Sequence, residues 1–213
     1  MLALIQIGSA SQVPNHQVTF PVSLDARGKE VAAIQVDVFP DPGTPINSQA
    51  NGHPDCVVNA AINKPGTRFT FQPAGCTPGT TCQSVRALVI DISSSAPIPD
   101  GSVLFTCSAS ITRTAAIGKH HLWCSGPQAS DSNANALPVL CADGAIQVEQ
   151  PCVGDCDGDG QVTVDEVILG VNIALGNTLL TQCPALDGNL DSLLTIEELV
   201  RGVNDALFGC PPT

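Results

Sequence analysis

The stretch DCDGDGQVTVDE, residues 155–166, places carboxylates at alternate positions ahead of a glycine. A Ca²⁺ ion takes about six to eight oxygen ligands, which a 12-residue loop supplies from positions 1, 3, 5, 7, 9 and 12. Those positions are held here by Asp155, Asp157, Asp159, the Gln161 carbonyl, Thr163 and Glu166. Gly160 stands at position 6, where the chain must turn sharply. The spacing therefore predicts a calcium loop of the EF-hand type.

A second stretch, DGNLDSLLTIEE, begins 32 residues later. Its ligand positions are held by Asp187, Asn189, Asp191, the Leu193 carbonyl, Thr195 and Glu198. Two positions depart from the pattern, because Asn189 replaces an acid and Ser192 replaces the turn glycine. Fewer charges and a strained turn both weaken binding. We expect calcium at both loops, with the second site weaker.

The ends of the two loops also fit helix capping boxes. Thr163 and Thr195 would be the N-caps, with Glu166 and Glu198 three residues later. Capping alone does not require the three aspartates or Gly160, so calcium is the preferred interpretation, and both roles can hold at once.

Each loop leads into a predicted helix with one apolar face, and the two helices end near Gly176 and Gly209. The first face comprises Val164, Val167, Ile168, Val171 and Leu175, and the second comprises Ile196, Leu199, Val200, Val203 and Leu207. The helices share matched glycines, Gly170 and Gly202. A glycine inside a helix is unfavourable by about 1 kcal/mol, so the match predicts close helix–helix packing, with neutral drift as the alternative.

Acidic residues concentrate in this C-terminal segment. Residues 151–213 hold one basic and ten acidic side chains, against seven and ten in residues 1–150. The imbalance indicates a separate module. It also excludes nucleic acid as a partner and disfavours anionic membrane surfaces, since both need a basic face. No stretch is long and apolar enough for membrane insertion.

The ten cysteines are Cys56, Cys76, Cys82, Cys107, Cys124, Cys141, Cys152, Cys156, Cys183 and Cys210. We interpret them as disulfides, because the closest metal-ligand pattern, HPDC at residues 53–56, lacks a second half. Their connectivity stays open, with one favoured pair, Cys152 with Cys210, which would join the two ends of the second module. Disulfides predict an extracellular or cell-surface location. The start MLALIQIGSA is too short and not basic enough for a signal peptide, so we expect an export signal to have been removed or to lie outside this chain.

The first 150 residues contain patterns typical of β-strands. Apolar and polar residues alternate in QVTFPVSLD, AAIQVDVF, SVLFTCSASI and GAIQVEQ. Further candidates are LALIQIG, DCVVNAA, RFTFQ, SVRALVIDI and KHHLWC. About nine short strands separated by Pro and Gly predict a β-sandwich or jelly roll over residues 1–150, followed by a small helical calcium module over residues 151–213.

Residues 152–212 resemble a dockerin module, which is built of two loop–helix half-hands, because VEQPCVG ahead of the first loop looks extended rather than helical. The first module resembles a cohesin domain, in the order and spacing of IQIGSASQVPNHQVTFPVSLD, VAAIQVDVFPDP and DGSVLFTCSASI. The resemblance implies calcium-dependent folding of the C-terminal module and adhesion between sandwich and dockerin faces. Loop positions 10 and 11, often small hydroxyl residues in cohesin-binding dockerins, are Val164–Asp165 and Ile196–Glu197 here, so the usual cellulosome pairing is not implied.

No catalytic motif is present in the sequence, so we expect no enzyme. Trp123 is expected in the core rather than as a carbohydrate platform. The favoured function is a secreted calcium-binding structural or adhesion protein that binds other copies of itself head to tail and forms filaments. The strand-like LALIQIG offers a second route, by addition to a neighbour's sheet edge. The alternative is a monomeric cell-surface scaffold or adhesion module that binds a different protein.

Overall fold

The computed structural model describes residues 1–211. It divides the chain into two compact units, Met1–Val148 and a second that begins at Glu149. No helix in the described range is long and apolar enough to cross a membrane.

Twelve strands form the first unit. In chain order they are β1 (Ala3–Ile7), β2 (Ser9–Gln12), β3 (Gln17–Asp25), β4 (Ala33–Pro40), β5 (Cys56–Val58), β6 (Arg68–Gln72), β7 (Ser84–Val89), β8 (Val103–Ser110), β9 (Gly118–Ser130), β10 (Ala136–Leu137), β11 (Val139–Ala142) and β12 (Gly144–Val148). The five-stranded sheet has the order β11-β1-β3-β8-β5, and the seven-stranded sheet has the order β2-β12-β9-β4-β7-β6, with β10 paired to β9. The predicted mainly β sandwich is therefore confirmed.

The core of the sandwich is built from the strand positions that alternate inward. In β4, Ile34, Val36 and Val38 are buried in the core, whereas Gln35 is partly exposed and Asp37 is buried in an ion pair with Arg86. Most of the buried side chains are aliphatic, and Phe20 and Phe105 are the largest. Phe105 also meets Phe69 edge to face, with ring centroids 5.1 Å apart.

Two strands cross from one sheet to the other at adjacent glycines. β1 lies parallel to β11 in the first sheet, and their continuations, β2 and β12, lie parallel in the second. The chain switches sheets at Gly8 and near Gly144. A Cβ atom on Gly144 would lie 2.1 Å from the Gly8 carbonyl oxygen, so only glycine allows this approach.

The first strand is an interior member of its sheet. β1 pairs with β11 on one side and with β3 on the other, so both of its edges are hydrogen-bonded. Ala3, Ile5 and Ile7 are fully buried. The expectation that LALIQIG could add to a neighbour's sheet edge is therefore wrong for this fold, because the strand has no free edge.

The second unit contains two α-helices, α1 (Val164–Ala174) and α2 (Ile196–Phe208), and two short 3-10 helices, Leu180–Gln182 and Pro184–Leu186. In the described part of this unit no helix precedes the first loop, and only the second 3-10 helix leads into the second loop.

All ten cysteines are paired, and each pair lies within one unit. The first unit contains Cys56–Cys107, Cys76–Cys82 and Cys124–Cys141. The second contains Cys156–Cys183 and Cys152–Cys210, the latter being the pair favoured from the sequence. Removing a native disulfide from a small domain costs about 2–5 kcal/mol, so these bonds supply stability that a core with few aromatic side chains lacks.

Candidate calcium loops and docking faces

The Asp155 carboxylate organises the first loop from within. Its Oδ1 accepts the backbone N–H groups of Gly158 at 2.8 Å and Asp159 at 3.1 Å, and its Oδ2 accepts that of Gly160 at 2.9 Å. Asp157 Oδ1 also accepts the Asp159 N–H at 3.1 Å. These hydrogen bonds fold the backbone around the first carboxylates. Side-chain to backbone hydrogen bonds of this kind stabilise a turn in a short polar segment that has no apolar packing.

The three aspartates of the loop converge on one point. Carboxylate oxygens of Asp155, Asp157 and Asp159 all lie within 4.8 Å of one another. Calcium–oxygen distances of about 2.3–2.6 Å let two ligands on opposite sides of an ion stand about 5 Å apart, so the three oxygens fit one ion. Within residues 1–211 this is the only group of three or more His, Cys, Asp or Glu side chains close enough to share a metal.

Glu166, at the last ligand position, lies outside this group and faces the backbone. Its carboxylate accepts N–H groups from Cys156 at 2.8 Å, Asp157 at 3.3 Å and Thr163 at 2.7 Å. Burial raises the pKa of Glu166, but these N–H groups and the Thr163 hydroxyl outweigh burial and lower the pKa overall. The carboxylate is thus held ionised at the start of α1, where the capping box with Thr163 is formed.

The second loop repeats this arrangement. Asp187 accepts the N–H groups of Asp191 at 2.8 Å and Ser192 at 2.7 Å. Glu198 accepts the N–H of Asn189 at 3.1 Å and forms a capping box at the start of α2. The Asn189 amide donates to Asp191 Oδ2 at 3.1 Å, so one neutral side chain takes the place of an acid in the group.

The two loops differ in backbone strain. Gly158 and Gly160 adopt left-handed φ values of 79° and 85° in the first loop. The equivalent residues of the second loop, Leu190 and Ser192, also adopt left-handed values, 60° and 69°. A left-handed conformation costs a residue with a side chain roughly 1–2 kcal/mol. The second loop therefore carries strain that the first avoids.

The inward face of each helix carries a glutamate and a glycine. Glu166 and Gly170 of α1 are buried, as are Glu198 and Gly202 of α2. A Cβ atom on Gly170 would lie 2.9 Å from Leu199 of α2, which is the close helix contact expected there. On Gly202 it would instead lie 3.3 Å from the Val153 carbonyl oxygen, so the second glycine packs against the segment before the first loop.

The apolar helix positions, which ordinarily face a core, are largely exposed here. On α1 an i, i+4, i+7, i+11 series of Val164, Ile168, Val171 and Leu175 is 72, 53, 41 and 70% exposed. We call this series the α1 stripe. The equivalent series on α2, the α2 stripe, is Ile196, Val200, Val203 and Leu207, of which all but Val203 are more than half exposed. The inward face is already occupied by the ligand-position glutamates and the glycines, so the stripes turn outward.

In the first unit, the side chains that alternate with the core positions of the seven-stranded sheet form its outer face. Its members are Gln35, Asp37 and Phe39 of β4, Arg86 and Leu88 of β7, and Trp123, Ser125 and Gln128 of β9. Near its middle, Arg86 Nε and Nη2 donate to the Asp37 carboxylate at 2.8 and 2.7 Å. This hydrogen bonding, followed by the charge attraction, raises the pKa of Arg86.

Trp123 lies at one end of this outer face and is 47% exposed, so its expected place in the core is wrong. The alternation of β9 buries its neighbour Leu122 instead. The indole stacks on His121, with centroids 4.5 Å apart, and its Nε1 donates to Asp41 Oδ1 at 3.2 Å. Phe39 lies beside it in register. The ring is therefore oriented in advance, with its polar edge already bonded.

An open groove of about 530 Å³ lies at the other end of the outer face. Its lining is mostly apolar and includes Leu88, Pro127, Leu137, Pro138 and Val139. Sequence reasoning did not identify the groove or the outer face. The one available signal was that Leu88 and Trp123 occupy outward positions of strands where a polar side chain is usual.

Solved structures with a similar fold are cohesins. The sixth cohesin from Acetivibrio cellulolyticus scaffoldin B, in complex with a mutant Cel5 dockerin, matches 70% of this chain and 100% of its own, with a TM-score of 0.56 and 20% identity. CaCohA2 from Clostridium acetobutylicum matches 70% of this chain and 91% of its own, with a TM-score of 0.55 and 18% identity. A non-cellulosomal cohesin from Archaeoglobus fulgidus matches the same shares, with a TM-score of 0.52 and 16% identity.

No family model and no curated protein matches the chain. At these identities the similarity shows the fold, and what it shows is a cohesin-like β-sandwich with two small helices. The interpretation of the second unit as dockerin-like stays a prediction that rests on its sequence pattern.

Proposed function

We propose that this protein is a secreted, non-catalytic structural subunit that binds calcium and associates with other copies of itself. The observation that carries the proposal is the pair of apolar stripes, exposed at equivalent positions of α1 and α2. Exposed apolar surface of this extent, rimmed by polar residues, marks an interaction site. Five disulfides support an oxidising, extracellular location.

Calcium would set the position of each stripe. The ligands would be Asp155, Asp157, Asp159, Gln161, Thr163 and Glu166 in the first loop, and Asp187, Asn189, Asp191, Leu193, Thr195 and Glu198 in the second. An ion there neutralises carboxylates that otherwise repel one another. Because each stripe begins one residue after the capping threonine, the conformation of the loop decides how the helix presents the stripe.

We propose the outer face of the seven-stranded sheet as the surface that receives a stripe from another copy. The groove beside Leu88 offers an apolar recess, and Trp123 offers a rigid aromatic surface whose ordering needs little further entropy. The A. cellulolyticus cohesin of the same fold binds a dockerin, which supports a sandwich surface as the receiving partner. A contact between different faces of identical chains continues as a filament unless it closes into a ring.

A monomeric scaffold that binds a different protein is the second candidate. The residues at loop positions 10 and 11 favour it, since these positions are often small hydroxyl residues in cohesin-binding dockerins and are Val164–Asp165 and Ile196–Glu197 here. The stripes would then cover an apolar surface of another protein rather than the sandwich of this one.

Light scattering and negative-stain imaging of the full chain, in millimolar calcium and after chelation, separate these functions. Polymers that form in calcium and dissociate in chelator support the filament subunit. Polymers that survive chelation refute the role of the calcium loops in assembly. A monomer under both conditions refutes self-association and leaves the scaffold.

A further inference from the structure

The segments that enter the two calcium loops are cross-linked to each other. Cys156 is the second residue of the first loop, and Cys183 lies four residues before Asp187. Gly154, two residues before Cys156, donates its N–H to the carbonyl of Ala185, two residues after Cys183, at 3.2 Å. The disulfide and this hydrogen bond together hold the two loop entrances side by side.

On one side the disulfide bears directly on a calcium ligand. The backbone N–H of Cys156 donates to Glu166 Oε1 at 2.8 Å. Glu166 holds the last ligand position of the first loop and caps α1. Any displacement of Cys156 therefore moves the hydrogen-bond donor that orients this carboxylate.

On the other side the disulfide is anchored in the small core of the second unit. Cys183 is fully buried and packs with Leu186 and Ile173. Leu186 immediately precedes Asp187, whose N–H donates to the Pro184 carbonyl at 3.1 Å. The first ligand of the second loop is therefore placed by the segment that Cys183 fixes.

We propose that the Cys156–Cys183 disulfide couples the two calcium loops and sets their affinity, so that tight calcium binding belongs to the oxidised protein alone. The inference rests on the calcium binding proposed above. In the oxidation, the two thiols lose two protons and two electrons as the S–S bond forms. A low-molecular-weight disulfide such as oxidised glutathione accepts them and is released as two thiols.

The coupling is reciprocal. If the bond strengthens calcium binding by some factor, calcium must strengthen the bond by the same factor. A tenfold gain at each of two sites is a hundredfold gain in total. For a two-electron couple, tenfold corresponds to about 30 mV, so calcium would lower the reduction potential of this disulfide by about 60 mV.

The second unit contains its own control. Cys152–Cys210 joins the ends of the unit, and neither of its cysteines lies within a calcium loop. The full chain with Cys156→Ser and Cys183→Ser is compared with the chain carrying Cys152→Ser and Cys210→Ser by calorimetric titration with calcium. The first variant should bind at least tenfold more weakly at both sites, and the second within about threefold of wild type.

Wild-type affinity in the Cys156→Ser, Cys183→Ser chain would overturn the coupling and leave the calcium sites intact. An equal loss in both variants would also overturn it, because the effect would then be general destabilisation. A wild-type chain that binds no calcium would refute the sites themselves, and with them the coupling.

A measurement on the unmutated chain keeps the proposal testable if the variant does not fold. The chain is equilibrated in glutathione buffers of graded potential, with calcium or chelator, then alkylated and analysed by peptide mass spectrometry. Calcium should lower the potential of Cys156–Cys183 by about 60 mV for the hundredfold coupling and leave Cys76–Cys82, in the first unit, unchanged. Equal potentials with and without calcium would overturn the coupling.

Discussion

A charge placed in each apolar stripe should abolish assembly and leave the fold intact. Ile168 and Val200 hold equivalent positions in the α1 and α2 stripes and are both more than half exposed. We expect the double variant Ile168→Glu, Val200→Glu to remain monomeric in calcium. Each single variant should retain the contact that the other stripe provides.

The magnitude follows from the exposure of the side chains. Fully burying a Val, Leu or Ile side chain contributes about 1.5–3 kcal/mol. The four side chains of the α1 stripe are 72, 53, 41 and 70% exposed, so covering them contributes roughly 3.5–7 kcal/mol. Ile168 supplies about 1–1.5 kcal/mol of this, close to a tenfold change in affinity. Burying an unpaired carboxylate adds a further penalty, so a contact through the altered stripe should weaken about a hundredfold or more.

Sedimentation velocity in millimolar calcium measures the association, and urea unfolding measures the fold. Substitutions at exposed positions change the free energy of unfolding by about 0.5 kcal/mol or less, so the variant should unfold as wild type does. The control carries the same charges off the stripes, as Ala174→Glu and Asn204→Glu, at two exposed positions of the same helices. Polymers of wild-type length in the double variant, or equal loss in the control, would refute the stripes as the contact.

Two further predictions concern the glycine crossing and the calcium loops. Gly144→Ala should lower the free energy of unfolding of the first unit, measured in urea, by about 3 kcal/mol, because the added Cβ would lie 2.1 Å from the Gly8 carbonyl oxygen. The control Gln147→Ala, at an exposed position of the same strand, should change this free energy by less than about 0.5 kcal/mol. An unchanged unfolding midpoint for Gly144→Ala would contradict the close approach of the two glycines at the crossing. Asp157→Asn should weaken calcium binding at the first site about tenfold, and Asn189→Asp, at the equivalent position, should strengthen it at the second site by a similar factor, because the charge of the ligands sets the affinity. Calorimetric titration measures both affinities. A gain of affinity in Asp157→Asn or a loss in Asn189→Asp would contradict the ligand assignment.

The sandwich was predictable because its strands are amphipathic at period two. The strand RFTFQ begins and ends at the predicted residues, and QVTFPVSLD does the same. β2, β10 and β11 escaped prediction. They are two to four residues long, too short for an alternating pattern to show, and β2 and β11 also pair with strands distant in sequence.

The direction of the helix faces was not predictable from periodicity. A helical repeat of apolar residues shows which side chains share a face, but the side that is buried depends on what the other faces must hold. Here Glu166 and Glu198 must reach back to their loops, and Gly170 admits the side chain of Leu199. Glutamate and glycine therefore occupy the inward faces of the helices, and the apolar stripes lie on the outward faces.

In the proposed assembly, the outward stripes and the acidic charge of the second unit would act against each other in the absence of calcium. Residues 151–213 carry a net charge of −9, and two bound Ca²⁺ ions would reduce it to −5. Self-repulsion of like charge opposes contact between copies, while each apolar stripe favours it. Calcium would therefore promote association in two ways. It would fix the positions of the helix starts, and it would reduce the charge repulsion between copies. Salt screens only the second effect, so added sodium chloride without calcium should leave the chains unassembled if the position of the helices is decisive.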